Sequence, residues 1–155
     1  MAGWTNRGKN NILDAYFRGA TIATNFYIAL LTNDTPPTAD TETLGGASEI
    51  AAGNGYTAGG GTDGQLDRNS TDFDVLTEDD TNDRALIQIK DVSWTASGGN
   101  IPASGNGARW AALLDDNVTV ASRELEQYWD LISDRTISSG QSITLQDLEM
   151  RVNES

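Results

Sequence analysis

A chain of 155 residues has room for one domain with a sizeable core, and this one carries a net charge of −13 with neither cysteine nor histidine. Disulfides and thiolate metal sites are therefore excluded, and with histidine go the commonest general base, the usual pH switch and the favoured zinc ligand. Hydrophobic residues make up 37% of the sequence and sixteen positions are glycine, which suits short strands joined by turns.

The first element is a helix. Thr5 is placed to cap it, Ile12, Leu13, Tyr16 and Phe17 form an apolar stripe, Arg18 suits the C-terminal dipole, and Gly19 fits the residue just past the end. A shorter helix capped by Asn11, with Asp14 in its first turn, is the alternative, because Arg7 and Lys9 oppose the dipole and Gly8 is a weak helix former. Phe26–Leu31 is a continuous apolar run that predicts a central strand, ended by Pro36 and Pro37. Residues 44–64 hold eight of the sixteen glycines and read as a long flexible excursion, with room for a short strand near Tyr56. An acidic stretch, Asp72 to Asp83, follows.

The second half reads as successive strands. Ile87 and Ile89 alternate with polar residues, but Val92 and Trp94 continue in the opposite phase, which predicts a β-bulge at Lys90-Asp91. Trp110, Ala112 and Leu114 form the next set, then Leu125, Gln127, Trp129 and Leu131. Ile143 and Leu145 precede Leu148, Met150 and Val152, with another phase change at Gln146-Asp147. Turns at Gly98-Gly99-Asn100, Asp115-Asp116-Asn117 and Ser138-Ser139-Gly140 separate them. The expected fold is mainly β, an antiparallel sandwich or barrel of short strands with one N-terminal helix. The expected organisation is an N-terminal docking segment over 1–20 and a single β domain over 21–155.

Charge separates the same two parts. Residues 1–20 carry Arg7, Lys9 and Arg18 against Asp14, whereas 21–82 carry eleven acids against Arg68 alone. An acidic body repels phosphate backbones, so no nucleic-acid partner is expected. No apolar run approaches the ~20 residues of a membrane span, and Asp14 and Arg18 interrupt the one N-terminal apolar patch. The expectation is therefore no membrane partner, no signal peptide and synthesis in a cytoplasm.

Gly53-Asn54-Gly55-Tyr56-Thr57-Ala58 has the outline of a dinucleotide fingerprint, but Gly59-Gly60-Gly61 cannot sustain the helix that motif requires. Asp72, Asp74, Glu78, Asp79, Asp80 and Asp83 supply the oxygens a divalent cation wants. The nearest calcium-loop outline, from Asp67, nevertheless puts Asp72 where glycine belongs and has no twelfth-position Glu, so a solvated acidic loop is preferred and no cofactor is expected. No carboxylate pair stands out for glycoside hydrolysis. Trp94, Trp110 and Trp129 sit on apolar strand faces and read as core, whereas Trp4 precedes the helix and reads as an anchor for a partner's pocket.

Asn10-Asn11-Ile12-Leu13-Asp14-Ala15-Tyr16-Phe17-Arg18-Gly19 resembles the opening "N-x-I-L-D-x-x-x-R-G" of a group of small tailed-bacteriophage virion proteins labelled tail-fibre-like, head-fibre or capsid decoration proteins. Phe26 to Asn33 is similar to the group's "V-Y-V-A-L-F-T" strand, Gly53-Asn54-Gly55-Tyr56 to its "G-x-G-Y" element, and Val92-Ser93-Trp94 and Ile137 to Ile143 to its later strands. The resemblance touches about two thirds of the chain in outline and departs at Asp72–Asp83 and at Ile101–Asn106. It implies a β-rich virion protein without catalytic residues: a capsid decoration (cement) protein on the outer head surface, bound to the major capsid protein and to itself as a trimer or other small symmetric oligomer. The alternative is a tail or fibre component facing a receptor through residues 44–64 and the loop near Ile101. The residues expected to dock on the capsid are Trp4, Arg7, Lys9, Tyr16 and Arg18, because their segment is opposite in charge to the body.

Overall fold

The computed structural model describes residues 2–153. Among them the elements run β1 (Ala2–Trp4), α1 (Asn6–Arg18), β2 (Asn25–Leu31), β3 (Gln65–Asp67), β4 (Val75–Asp79), β5 (Arg84–Ile89), β6 (Val92–Thr95), β7 (Ala108–Leu114), β8 (Leu125–Arg135), β9 (Ser142–Leu145) and β10 (Leu148–Asn153). The chain is mainly β, its sheets are antiparallel, and the arrangement is that of a β-sandwich with one N-terminal helix. One layer is a five-stranded sheet in the order β1-β8-β7-β2-β3; facing it are β10-β5-β4 and β6-β9. The main core lies between the layers and joins Ile28, Leu30 and Leu113 to Ile89, Trp94, Ile143 and Met150. Among the described residues no helix is long and apolar enough to cross a membrane.

The apolar run at Phe26 becomes β2, central in its sheet as expected. Ile28, Ala29, Leu30 and Leu31 are all fully buried because both faces are covered. Ile28 and Leu30 face the main core; Ala29 and Leu31 face a smaller cluster with Leu44, Leu114 and Leu125.

The two phase changes in the second half face each other. Ile89 pairs with Leu148 and Val92 with Leu145, so two residues separate the paired segments on either strand and the register continues without a slip. The expected β-bulge at Lys90-Asp91 is thus corrected, since a bulge adds a residue to one strand only. Instead both strands kink at one level, helped by Asp147 at φ +52°, and Gln146 Nε2 donates to Asp91 Oδ2 across the kink at 3.0 Å. Ile89 and Val92, three apart and on opposite faces of an unbroken strand, both become buried. Register does shift between β7 and β8, after Ala108 and after Leu113.

Residues 44–64 do not form a flexible excursion. A Cβ on Gly60 would lie 2.0 Å from the Ile28 carbonyl oxygen and one on Gly64 2.4 Å from the same atom, so the glycines let this stretch lie directly on β2. Tyr56 is buried within it: its hydroxyl donates to Glu49 Oε1 at 2.6 Å and accepts from Leu30 N at 3.0 Å. The acidic stretch is likewise ordered, as the hairpin β4–β5.

The N-terminal segment, expected as a docking segment over 1–20 beside the β domain, contributes a strand to the sandwich. Ala2, Gly3 and Trp4 pair with Trp129, Tyr128 and Gln127, adding β1 to the five-stranded sheet. Thr5 is fully buried: its N–H donates to Glu126 O at 3.0 Å, and its hydroxyl bonds to Leu125 O while accepting from Gly8 N at 2.9 Å. One residue thus caps α1 and fastens it to β8. Gly19 closes the helix at φ +73°, and the start at Asn6 under the Thr5 cap shows that the longer helix forms, not the shorter one capped by Asn11.

Candidate functional site

The packing of α1 determines what the protein presents to solvent. Its one buried residue is Gly8, where a Cβ would meet Glu126 O at 2.2 Å. Because the helix backbone lies against β8 at this glycine, its apolar stripe is not turned into the core. Ile12 is 43%, Leu13 57%, Tyr16 81% and Phe17 74% exposed, and the Tyr16 and Phe17 rings meet edge to face at 4.8 Å. Four large apolar groups held on one rigid helix form the kind of patch that marks a partner surface.

The stripe divides in two. Ile12 and Tyr16 border a groove of about 1110 Å³ that opens between α1 and the two layers; Leu13 and Phe17 lie outside it. Phe26 and Phe73, packed edge to face at 5.7 Å, form part of the groove, as do the exposed Ile22 and Leu76 and the buried Met150. Asp14, Asp74, Asp115, Asp116, Glu124 and Glu126 also line it, with Arg68 as the single base.

Glu126 is the unusual acid. It lies on β8 under α1, where Asn11 Nδ2 donates to its Oε1 at 2.8 Å and to Glu124 Oε2 at 2.7 Å. Burial, with the charges of Glu124 and Asp115 added, pushes its carboxyl up to about 7 despite the Asn11 hydrogen bond and the Arg7 guanidinium. Burial also raises the Asp115 carboxyl, although Asp115 accepts from the Glu124 and Asn117 amides. The folded protein therefore holds a proton on Glu126 that the unfolded chain releases near its ordinary value of 4.5. Stability should fall as pH rises from about 4.5 to about 7 and then level off, by up to roughly 3 kcal/mol from this group. Glu126→Gln is expected to flatten that segment of a urea-denaturation series and to raise stability at pH 8. An unchanged slope would show that Glu126 titrates normally.

The residues expected to dock are dispersed by the fold. Tyr16 and Trp4 border the groove, but Trp4 is no mobile anchor: it packs partly against the main core and its indole N–H donates to Arg151 O at 2.7 Å. Arg7 is held between Glu42 at 3.5 Å and Glu124 at 3.7 Å. Arg18 pairs with Asp14 at 3.4 Å, and Lys9 is exposed. The basic groups thus do not converge, and two of the three are matched by acids of the same chain.

Trp94 and Trp129 are core residues, as expected, whereas Trp110 is half-buried beside Tyr128 and donates to Asn33 Oδ1 at 3.1 Å. In the acidic stretch, Asp72 pairs with Lys90 at 2.7 Å and Asp79 with Arg84 at 2.8 Å. Among the described residues no three acids are grouped to hold a metal ion. Sequence reasoning missed Glu126, expected on an outward strand face; only the rise of Gly8 against that face buries it. It also missed Ile22, Phe73 and Leu76, which carry no motif.

No family model matches the chain, and no curated protein proves similar to it.

Proposed function

We propose that the protein is a capsid decoration (cement) protein of a tailed bacteriophage, a non-enzymatic part that binds the outer head and ties copies of the major capsid protein together. The observation that carries this is the outer face of α1. Leu13 and Phe17 stand in solvent on the segment that resembles the opening motif of small phage virion proteins, and the helix below them is fastened rigidly to β8. A helix held this way loses little freedom when its exposed face is covered. Burial at about 25 cal/mol per Å² is modest for one copy but repeats over a whole shell. Assembly as a trimer or other small symmetric oligomer would multiply the effect. With residues 44–64 packed on β2, the alternative of a receptor-facing tail or fibre component loses the flexible surface that favoured it.

Leu13→Asp with Phe17→Asp tests the proposal. Both side chains are exposed, so the melting temperature should move little. Occupancy on heads lacking the native protein should drop by about tenfold or more, from lost apolar contact and an added buried charge. Undiminished occupancy would overturn the docking face. Density for the chain at the tail or its vertex, in a reconstruction of the intact particle, would overturn the decoration role.

A further inference from the structure

The two edges of the three-stranded sheet β10-β5-β4 are treated in opposite ways. β10 is the end strand on one side, and the carbonyls of Glu149 and Arg151, two apart on that strand, are already occupied. Gln127 Nε2 and Trp129 Nε1 donate to Glu149 O at 3.0 and 2.9 Å, and Trp4 Nε1 donates to Arg151 O at 2.7 Å. Side chains of the first layer thus seal this edge. β4 is the end strand on the other side, and its residues Val75 to Glu78 are all exposed, with no strand beyond them among the described residues.

The side chains on β4 are suited to another strand. Met150, Ile87 and Leu76 are direct register partners across β10, β5 and β4, and all three line the groove. Along this row exposure climbs from 7% at Met150 to 77% at Leu76, so an apolar row that starts in the core ends uncovered at the sheet edge. Two residues to either side of Leu76 stand Glu78, on the same face of the strand, and Asp74, which lies one residue before the strand and lines the groove with Leu76. The open strand therefore displays acid, apolar, acid in sequence.

From this we infer that β4 accepts an extended segment of a partner protein as an added strand, one whose alternate residues read basic, apolar, basic. The apolar side chain would continue the Met150–Ile87–Leu76 row and cover Leu76, and the basic ones would lie opposite Asp74 and Glu78. Asp115, Asp116 and Glu124 elsewhere in the groove add to the attraction for cations. A second copy of this chain is disfavoured at the site, because its own β4 would bring Asp74 and Glu78 against the same charges. The inference goes beyond the capsid proposal and does not depend on it, since the partner segment need not come from a capsid.

The test uses the full-length protein and an acetylated, amidated peptide, Thr-Arg-Thr-Leu-Thr-Arg-Thr. Titration followed by amide NMR should shift and protect residues 75–79, and the peptide should bind about tenfold or more tightly than Thr-Glu-Thr-Leu-Thr-Glu-Thr at low salt. Leu76→Thr keeps a strand-forming residue at an exposed site, and should lower affinity about tenfold with the melting temperature unchanged. Two peptides N-methylated on alternate residues, one in either phase, should differ, because only one edge of an added strand bonds to β4. Equal affinity for the arginine and glutamate peptides would overturn the inference, as would binding by both methylated forms. Dimerisation of the free protein that disappears in Leu76→Thr would also overturn it, by making a second copy the occupant.

Discussion

A chain lacking residues 2–9 is expected to lose about 5 kcal/mol or more, enough to leave a domain of this size largely unfolded at ambient temperature. Taken as a detachable docking arm, the segment ought to be removable without harm to the body. Its contacts say otherwise. The truncation removes β1 from the edge of β8 and takes away the Trp4 indole that satisfies Arg151 O. It also removes Thr5, a cap whose loss alone is worth about 1–2 kcal/mol. Without Thr5 and Gly8, α1 loses both its first hydrogen bond and its close approach to the Glu126 backbone, leaving only the Asn11 side chain to hold it on that face of β8. Chemical denaturation of the truncated chain is the measurement, and a midpoint within error of the full-length protein would show the segment to be peripheral. The same reasoning makes truncation a poor probe of docking, because lost binding would report lost structure. Substitutions at Leu13 and Phe17 avoid the difficulty.

The second large effect is expected at Trp94. This side chain is fully buried, 5.8 Å from the Tyr56 ring, and its indole N–H donates to Gly60 O at 3.1 Å. Trp94→Ala should lower stability by about 4 kcal/mol through lost burial and the cavity left behind. Trp94→Phe retains most of the apolar contact but removes one of the two donors to the Gly60 carbonyl, leaving the Gly64 N–H at 3.0 Å, and about 1 kcal/mol is expected. The loss in Trp94→Phe measures how strongly the indole ties the glycine-rich stretch to β6, and the difference between the two variants measures the burial of the ring. Should Trp94→Phe match the native protein in urea titration, that hydrogen bond contributes nothing.

These two sites also show where sequence reasoning reached and where it stopped. Local chemistry was readable: a Thr5 cap, a Gly19 terminus, a continuous apolar run for a strand buried on both faces, and two phase changes that proved to be one kink. The approach of one segment to another was not. Gly60 is like any loop glycine until Ile28 O is seen 2.0 Å from where a Cβ would stand. Gly8 looked like a flaw in a helix, yet it is the point where the helix backbone meets β8. Pairing of residues 2–4 with 127–129 spans nearly the whole chain, and no local pattern announces it. The candidate surface was readable only through Tyr16 and the stripe around it. The groove beside it draws on Ile22, Phe73, Leu76 and Met150, whose convergence depends on the complete topology.

The matched kink between the long outer strands has a consequence for how this protein can change over generations. Residues 90–91 and 146–147 interrupt their strands at the same level, with Ile89 opposite Leu148 and Val92 opposite Leu145. Loss or gain of one residue in either interruption would reverse the facing of every side chain beyond it, sending either Val92 and Trp94 or Ile143 and Leu145 out to solvent. Length changes at this level are therefore tolerable only as paired events, one in each strand, separated by more than fifty positions of chain. Point substitution at Asp91 and Gln146 remains open, because these two side chains join each other across the kink, whereas Lys90 is tied to Asp72 and Asp147 holds a positive φ. The bend should accordingly drift in composition at Asp91 and Gln146 while staying fixed in length, whereas the tip at residues 80–83 of the β4–β5 hairpin can take single insertions.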